Sequence, residues 1–371
     1  MKVFRYILLG LIILNVPTFS LAVFGTTAGA LTNSMMFVGL VVYFFMEKKY
    51  TVIIPFLVLG ITYFSISGFN YTGITEEYIK DVIRYFVFII GAISLAKSTD
   101  RKTLLILFII GGASVLINAL VFPNSYGRYS GLYLNPNRAG LVCLIGFVLT
   151  YTIDKTYLRL LFQFVLTIAG ILTLSRYFIL VLVIINVVSV FVNKKNSAGL
   201  LAGAVALIII IGTSSLQLNT DRFRALKSIF SGNTDVKTIT KESRDETWAL
   251  YHDILVNNPL IGVGYREMQG KKSHKVSIKS GVHNTYLMVL GESGIVPFLI
   301  IIVFYLSMLV KSRRFLATHQ ELAYMAFTLT TFLLVSHNYF DNYIVLFLSI
   351  WLYSSLTISD ENPINQNNII A

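Results

Sequence analysis

Along most of this chain, polar positions come only in short clusters, and long apolar runs lie between them. The runs fall near residues 6–24, 31–46, 51–68, 79–96, 103–121, 136–153, 158–174, 177–193, 198–214, 284–310, 321–336 and 342–358. Most approach the roughly 20 residues a helix needs to cross a bilayer's hydrocarbon core. The stretch "YFILVLVIINVVSVFV" (177–192) shows no period of two, whereas a membrane barrel would be built from alternating segments of about ten residues. The pattern predicts an all-α polytopic membrane protein with about twelve transmembrane helices, forming one integral membrane domain over residues 1–371. The opening "MKVFRYILLGLIILNVPTFSLAVFGTTAGA" has the basic start and small-residue "AGA" of a signal peptide. Its apolar run is longer than the 7–15 residues of a signal peptide, so it reads as the first span.

The clusters between the runs set an orientation. Lys2 and Arg5, Lys48 and Lys49, Lys97 with Arg101 and Lys102, Lys155 and Arg159, Lys194 and Lys195, and Lys311 with Arg313 and Arg314 fall on one side. The positive-inside rule makes that side cytoplasmic. Both termini are then inside, as an even number of spans also requires. The external connections are short apart from residues 215–283, between spans nine and ten. That loop carries Arg222, Arg224, Lys227, Lys237, Lys241, Arg244, Arg266, Lys271, Lys272, Lys275 and Lys279. A basic external loop suits an anionic ligand, although single lysines there are equally ordinary solvated groups. Within "SRDETWALYHDILVNNPLIGVGYREM" (243–268), Trp248, Leu250, Ile254 and Leu255 predict a short amphipathic helix on the membrane surface. "NNPLIGVGY" ends it.

Composition strengthens the membrane reading. Of 371 residues, 55% are hydrophobic and 13% charged, against about a quarter charged in soluble domains. The mean hydropathy is +0.72. The lone Cys143 excludes an intrachain disulfide. No internal repeat of the kind that builds many transporters is visible.

The candidate chemistry lies in polar segments on the external side. "YGRYSGLYLNPNRAG" (126–140) carries Arg128 and Arg138 and a turn, "NPN", that brings Asn137 to a helix start. In "LTLSRYFIL" (172–180), Ser175 and Arg176 separate two apolar runs with almost no loop, so Arg176 lies at the tip of a hairpin. Arginine offers a planar fork of donors suited to phosphate oxygens, and at membrane depth it usually faces a cavity or a partner. Snorkelling to the interface is the plainer account of Arg176. A surface ion pair with Asp245 or Glu246 is the plainer account of Arg244. His283 opens the tenth run and can serve as a base near neutral pH or simply start a helix, with Asn284 capping it. Glu292 lies about 13.5 Å further along an ideal helix and on its opposite face, and reads as a buried structural group. "SHNYFDNY" (336–343) marks the last external turn. The external acids, among them Glu76, Glu77, Asp81 and Asp341, are scattered, so no metal or cofactor is expected. "GVGY" (262–265) is too short to mark a nucleotide site, and no nucleic-acid partner is expected.

Together these segments resemble the O-antigen ligase and polymerase family of bacterial polysaccharide-assembly membrane glycosyltransferases. The resemblance covers about residues 120–310. It rests on the order of "GRYSGLYLNPNRAG", "LTLSR", Arg244 to Tyr265, and "HNTYLMVLGESGIVP". It implies a GT-C-like fold in the bacterial cytoplasmic (inner) membrane, with an active site facing the periplasm. The implied donor is a glycan on undecaprenyl diphosphate. The implied acceptor is a hydroxyl of the lipid A core for a ligase, or the next lipid-linked repeat unit for a polymerase. By the same resemblance His283, Arg176 and Arg244 are catalytic, the arginines holding the diphosphate. Arg128, Asn137, Asn284 and Asp341 contact substrate. A ligase is the expectation and a polymerase the alternative. A lipid-linked sugar flippase fits less well, because the ionisable groups gather at the outer edge rather than at the bilayer midplane.

Overall fold

The computed structural model describes residues 1–47, 52–123, 127–212 and 244–361. Residues 215–243 of the long loop, including Arg222, Arg224, Lys227, Lys237 and Lys241, lie outside the described residues, as does Tyr126. The described chain is helical and contains no strand. In chain order the helices are α1 (Lys2–Ile13), α2 (Val16–Phe24), α3 (Thr26–Glu47), α4 (Ile54–Phe69), α5 (Thr75–Lys97), α6 (Arg101–Val121), α7 (Pro136–Leu149) and α8 (Thr156–Leu172). There follow α9 (Arg176–Val192), α10 (Ser197–Gly212), α11 (Arg244–Leu250), α12 (His252–Asn257), α13 (Thr285–Ser293), α14 (Ile295–Ser312), α15 (Gln320–Phe332) and α16 (Tyr343–Glu361).

Each apolar run of the sequence lies on one helix or on a pair. Among the described residues, Thr26–Glu47, Arg101–Val121 and Ile295–Phe315 are long and apolar enough to cross a membrane, and α1 with α2 makes a fourth if that bent pair is one span. Leu31, Val38, Ile61, Ile117, Val183, Phe191, Val303 and Val310 project exposed from the bundle. Apolar exposure on this scale marks a surface that meets lipid. The chain is a membrane protein.

The helices pack around α7. Every residue from Ala139 to Leu149 is buried, as expected of a helix that is apolar on all sides. It is enclosed by α6, α8, α9 and α15. A Cβ on Gly140 would meet Ser175 and Phe178 at 3.2 Å, so the missing side chain lets the start of α9 lie close against α7.

Two runs that read as continuous spans are broken. The first breaks at Asn15, whose left-handed backbone (φ 55°) ends α1. Pro17 lacks the N–H needed to continue the hydrogen-bond ladder, and α1 and α2 meet at 64°. The second breaks at Gly294 (φ 78°) between α13 and α14. A side chain there would run into the carbonyl of Leu260.

Cross-helix hydrogen bonds define two ends. At the basic end Arg5 donates to the Ser98 carbonyl (2.6 Å) and Trp351 to the Thr99 carbonyl (2.8 Å). Arg101 pairs there with Glu321 (2.9 Å). The opposite, loop end gathers the N-termini of α3, α5, α7, α9, α13 and α16 with residues 244–284.

Candidate functional site

The site grows from two tight turns at the loop end. The first joins α8 to α9 and takes only Thr173, Leu174 and Ser175, as the two abutting apolar runs require. Leu174 is left-handed (φ 47°). Ser175 caps α9 through the Phe178 N–H. Its hydroxyl also donates to Asn137 Oδ1 at 3.0 Å. The Tyr129 N–H donates to the Leu172 carbonyl (3.2 Å), and Arg128 Nε donates to that of Thr173 (3.1 Å). Two segments separate in sequence are thereby one surface, with Arg176 exposed at its edge. Arg128 is buried and supports the turn. Asn135, rather than Asn137, caps α7, accepting from the Asn137 and Arg138 N–H groups. That leaves Asn137 to hold Ser175.

The second turn joins α15 to α16. Leu333 accepts from the Thr285 N–H (2.7 Å), Ser336 from the Thr285 hydroxyl (2.7 Å) and Thr330 from the Tyr286 hydroxyl (3.0 Å). Tyr177, next to Arg176, donates to the Thr328 carbonyl (2.6 Å) and packs on Phe332. The end of α15 thus ties the Arg176 turn to the "HN" segment.

Each residue of "GVHN" has its own task. A Cβ on Gly281 would sit 2.6 Å from His337 Nε2. The Val282 N–H donates to Met268. His283 is left-handed (φ 50°) and exposed, a strained conformation of the kind that gathers at functional sites. Asn284 is buried and caps α13, accepting from the Tyr286 and Leu287 N–H groups. Its side-chain oxygen is committed to the helix start, as the capping account expects.

His337 stands edge-on to His283, the ring centroids 4.4 Å apart. Burial, then the neighbouring His283, then Lys272 drive its pKa down to about 3. It is a neutral imidazole at physiological pH. Asp341 is half exposed and faces Lys272 at 3.6 Å.

The long loop is held down chiefly by acids. Arg244 opens α11, and its side chain lies outside the described residues. The predicted amphipathic helix is two short ones, α11 and α12. Trp248 Nε1 donates to the Val282 carbonyl (3.0 Å) and Tyr251 to that of Ser280 (2.6 Å), so α11 is tied to the residues just before His283. Glu267 is fully buried. It accepts from the Ser273 hydroxyl and the His274, Lys275 and Val276 N–H groups. Glu292 accepts from the Met268 N–H and from Gln269 and Tyr63, which makes it the structural group the sequence suggests. "GVGY" lays the loop on helix ends. Val263 and Gly264 donate to the carbonyls of Gly291 and Glu292, and Tyr265 to that of Ser67. Arg266 grips Asp81 (2.6 Å) and Glu77 (3.0 Å) at the start of α5. At least this one of the loop's cations is therefore an anchor, with no need of an anionic ligand to explain it.

Residues 160–302 match the family model described as O-antigen ligase. Over this stretch the chain is similar to the O-antigen ligase family. No curated protein matches the chain. The members of that family are glycosyltransferase-like enzymes of polysaccharide assembly that work in a membrane setting on lipid-linked glycans. The match contains Arg176, Arg244 and His283. It leaves out Arg128, Asn137, His337 and Asp341, which the fold brings to the same end. His337 is the residue that sequence reasoning passed over, and Arg138 is one it names without a role. "SHNYFDNY" and "NPNR" were visible as polar turns, but nothing local pairs the first with His283 or the second with Asn15. Among the described residues no three His, Cys, Asp or Glu side chains converge as metal ligands would.

Proposed function

We propose that the chain is an O-antigen ligase-type glycosyltransferase of the bacterial cytoplasmic membrane. On this reading it moves a glycan from undecaprenyl diphosphate to a sugar hydroxyl of the lipid A core at the outer face. All twelve apolar runs cross the bilayer, both termini are cytoplasmic, and residues 215–283 lie outside. The observation that carries the reading is the convergence of the Arg176 turn, the strained His283 and α11 at one end of the bundle. Exposed Leu250, Val256, Leu260 and Ile261 on the loop support its lying against the lipid headgroups, where a lipid-borne diphosphate is found.

The chemistry is a single displacement. The acceptor oxygen forms a bond to the anomeric carbon, and the bond from that carbon to the diphosphate oxygen breaks. The diphosphate leaves on its lipid, and the acceptor's proton passes to His283. No nucleotide is needed, because the diphosphate is already a good leaving group. Arg176, at the first turn of α9, offers a planar fork of donors suited to phosphate. Arg244 is the second cation, and preorganised charge of this kind is usually the largest catalytic contribution. His337, neutral and packed against His283, fixes the ring that takes the proton.

A deletion strain tests the function. Polymer that stays on its lipid carrier and is missing from lipid A identifies the ligase. Single repeat units on lipid A identify a polymerase instead and overturn the ligase reading. Orientation is tested with a cysteine at Lys279, exposed in the loop, against the buried Cys143. An impermeant thiol reagent labels it in intact spheroplasts. Labelling only after lysis overturns the topology.

A further inference from the structure

The break at Asn15 opens onto a cavity of about 180 Å³ that the catalytic reading does not use. Asn15, Thr18, Asn33, Arg138, Asp341 and Asn342 line its polar side, and Leu11, Ile12, Pro17, Met36 and Ile344 its apolar side. Arg138 Nη1 donates to Asn15 Oδ1 at 3.4 Å, while Asn15 Nδ2 donates to the Leu132 carbonyl at 3.3 Å. The left-handed turn at Asn15 is therefore what presents the amide to Arg138. The cavity shares Asp341 and Tyr343 with the narrow cleft beside it that contains His337. On its other side, Asn137 joins Arg138 to the Ser175–Arg176 turn. The cavity thus continues the candidate site away from the bond that reacts.

Its chemistry selects the ligand. One cation, Arg138, and one anion, Asp341, line it, the aspartate also facing Lys272. The remaining polar groups are three amides and two hydroxyls, those of Thr18 and Tyr343. A phosphate gains from Arg138 but is repelled by Asp341. A fully apolar tail takes the polar groups of the wall out of water and offers them no hydrogen bonds in return, at a cost. A neutral polyol satisfies them all, donating hydroxyl protons to Asp341 and to the amide oxygens and accepting from Arg138 and the amide N–H groups. We propose that this cavity is a sugar subsite, holding one uncharged residue of the glycan a step away from the reacting hydroxyl or anomeric carbon. The proposal rests on the transferase reading above. The sugar comes either from the donor glycan or from the acceptor, and the test separates the two.

The test uses the full-length protein in lipid nanodiscs, as wild type, Arg138→Gln and Thr18→Phe. Thr18 is exposed at the cavity wall, so a bulky side chain there occupies the cavity without disturbing the core if Arg138→Gln folds poorly. KM is measured separately for lipid-linked donor and for acceptor. Loss of hydrogen bonds to a charged group predicts a rise of about tenfold or more in one of them, with kcat little changed. The substrate whose KM rises is the source of the sugar. Binding of the oligosaccharide, released from its lipid carrier, is followed in parallel by saturation-transfer NMR, which needs no turnover. Weaker binding in both variants supports the subsite even if transfer proves not to depend on His283. Wild-type KM values and wild-type oligosaccharide binding in folded variants overturn it.

Discussion

The two ends of the bundle carry the same residue types and use them in opposite ways. At the basic end Arg101, His319 and Glu321 hold one another. Arg101 lies 2.9 Å from Glu321 and 3.1 Å from His319 Nδ1. A cavity of about 630 Å³ opens beside them, lined by Leu105, Ile106, Ile109, Leu158 and Phe162 and by the charged Asp100, Lys102 and Asp154. At the loop end an arginine, a histidine and an aspartate, Arg138, His337 and Asp341, line smaller spaces and leave one another room. His337 has a second histidine beside it instead of an acid. Size therefore does not mark the site. At the larger cavity Arg101 is committed to Glu321 and His319, whereas at the smaller one Arg138 reaches the amide of Asn15.

The comparison can be broken most sharply at His283. His283→Ala should lower transfer by about 10²–10⁴, as loss of a general base does, while donor binding persists. His283→Asn tells base from helix start, and near-normal turnover in that variant removes the catalytic role. Glu321→Ala should do the reverse. It leaves Arg101 without its partner and costs about 3–5 kcal/mol of stability, read by thermal unfolding in detergent, with kcat per folded molecule unchanged. A fall in kcat would show that the basic end takes part in turnover.

Arg176→Lys comes next. A point charge lacks the paired donors of the fork, so transfer should fall by about tenfold, the worth of one charged hydrogen bond. Activity kept at the wild-type level means that Arg176 only snorkels. A smaller effect concerns pH. The folded pKa of His337 is depressed to about 3, so between there and its ordinary 6.5 the unfolded chain binds the extra proton. The contribution of His337 to stability is complete above pH 6.5 and is lost as pH falls towards 3. Melting temperatures measured from pH 7 to pH 4 should decline, and His337→Gln should flatten the decline. EDTA should have the least effect of all, leaving transfer intact. Activity lost to the chelator and restored by magnesium or manganese would reveal a metal site.

Helix positions were legible in the sequence because span length is a property of composition, which a run of apolar residues displays directly. The breaks at Asn15 and Gly294 were not legible. Hydropathy does not register backbone conformation, and each break is fixed by a distant partner, Arg138 for one and the Leu260 carbonyl for the other. Among the site residues, His283 and Arg176 could be read from their place at the mouths of apolar runs. His337 could not, because its meaning comes from a ring in another turn. Glu267 was lost among the lysines around it. Its ligands are mostly backbone N–H groups, and those carry no signature in the side-chain sequence.

The joint at Gly294 has a mechanical consequence. α13 is bonded through Glu292 and the carbonyl of Gly291 to the long loop, while α14 runs on into the bundle. A continuous helix would carry any tilt of α14 straight to His283. The broken one absorbs it at a single flexible residue. When the bilayer thickens or thins and α14 leans to match, the histidine keeps its register with the loop rather than with the membrane.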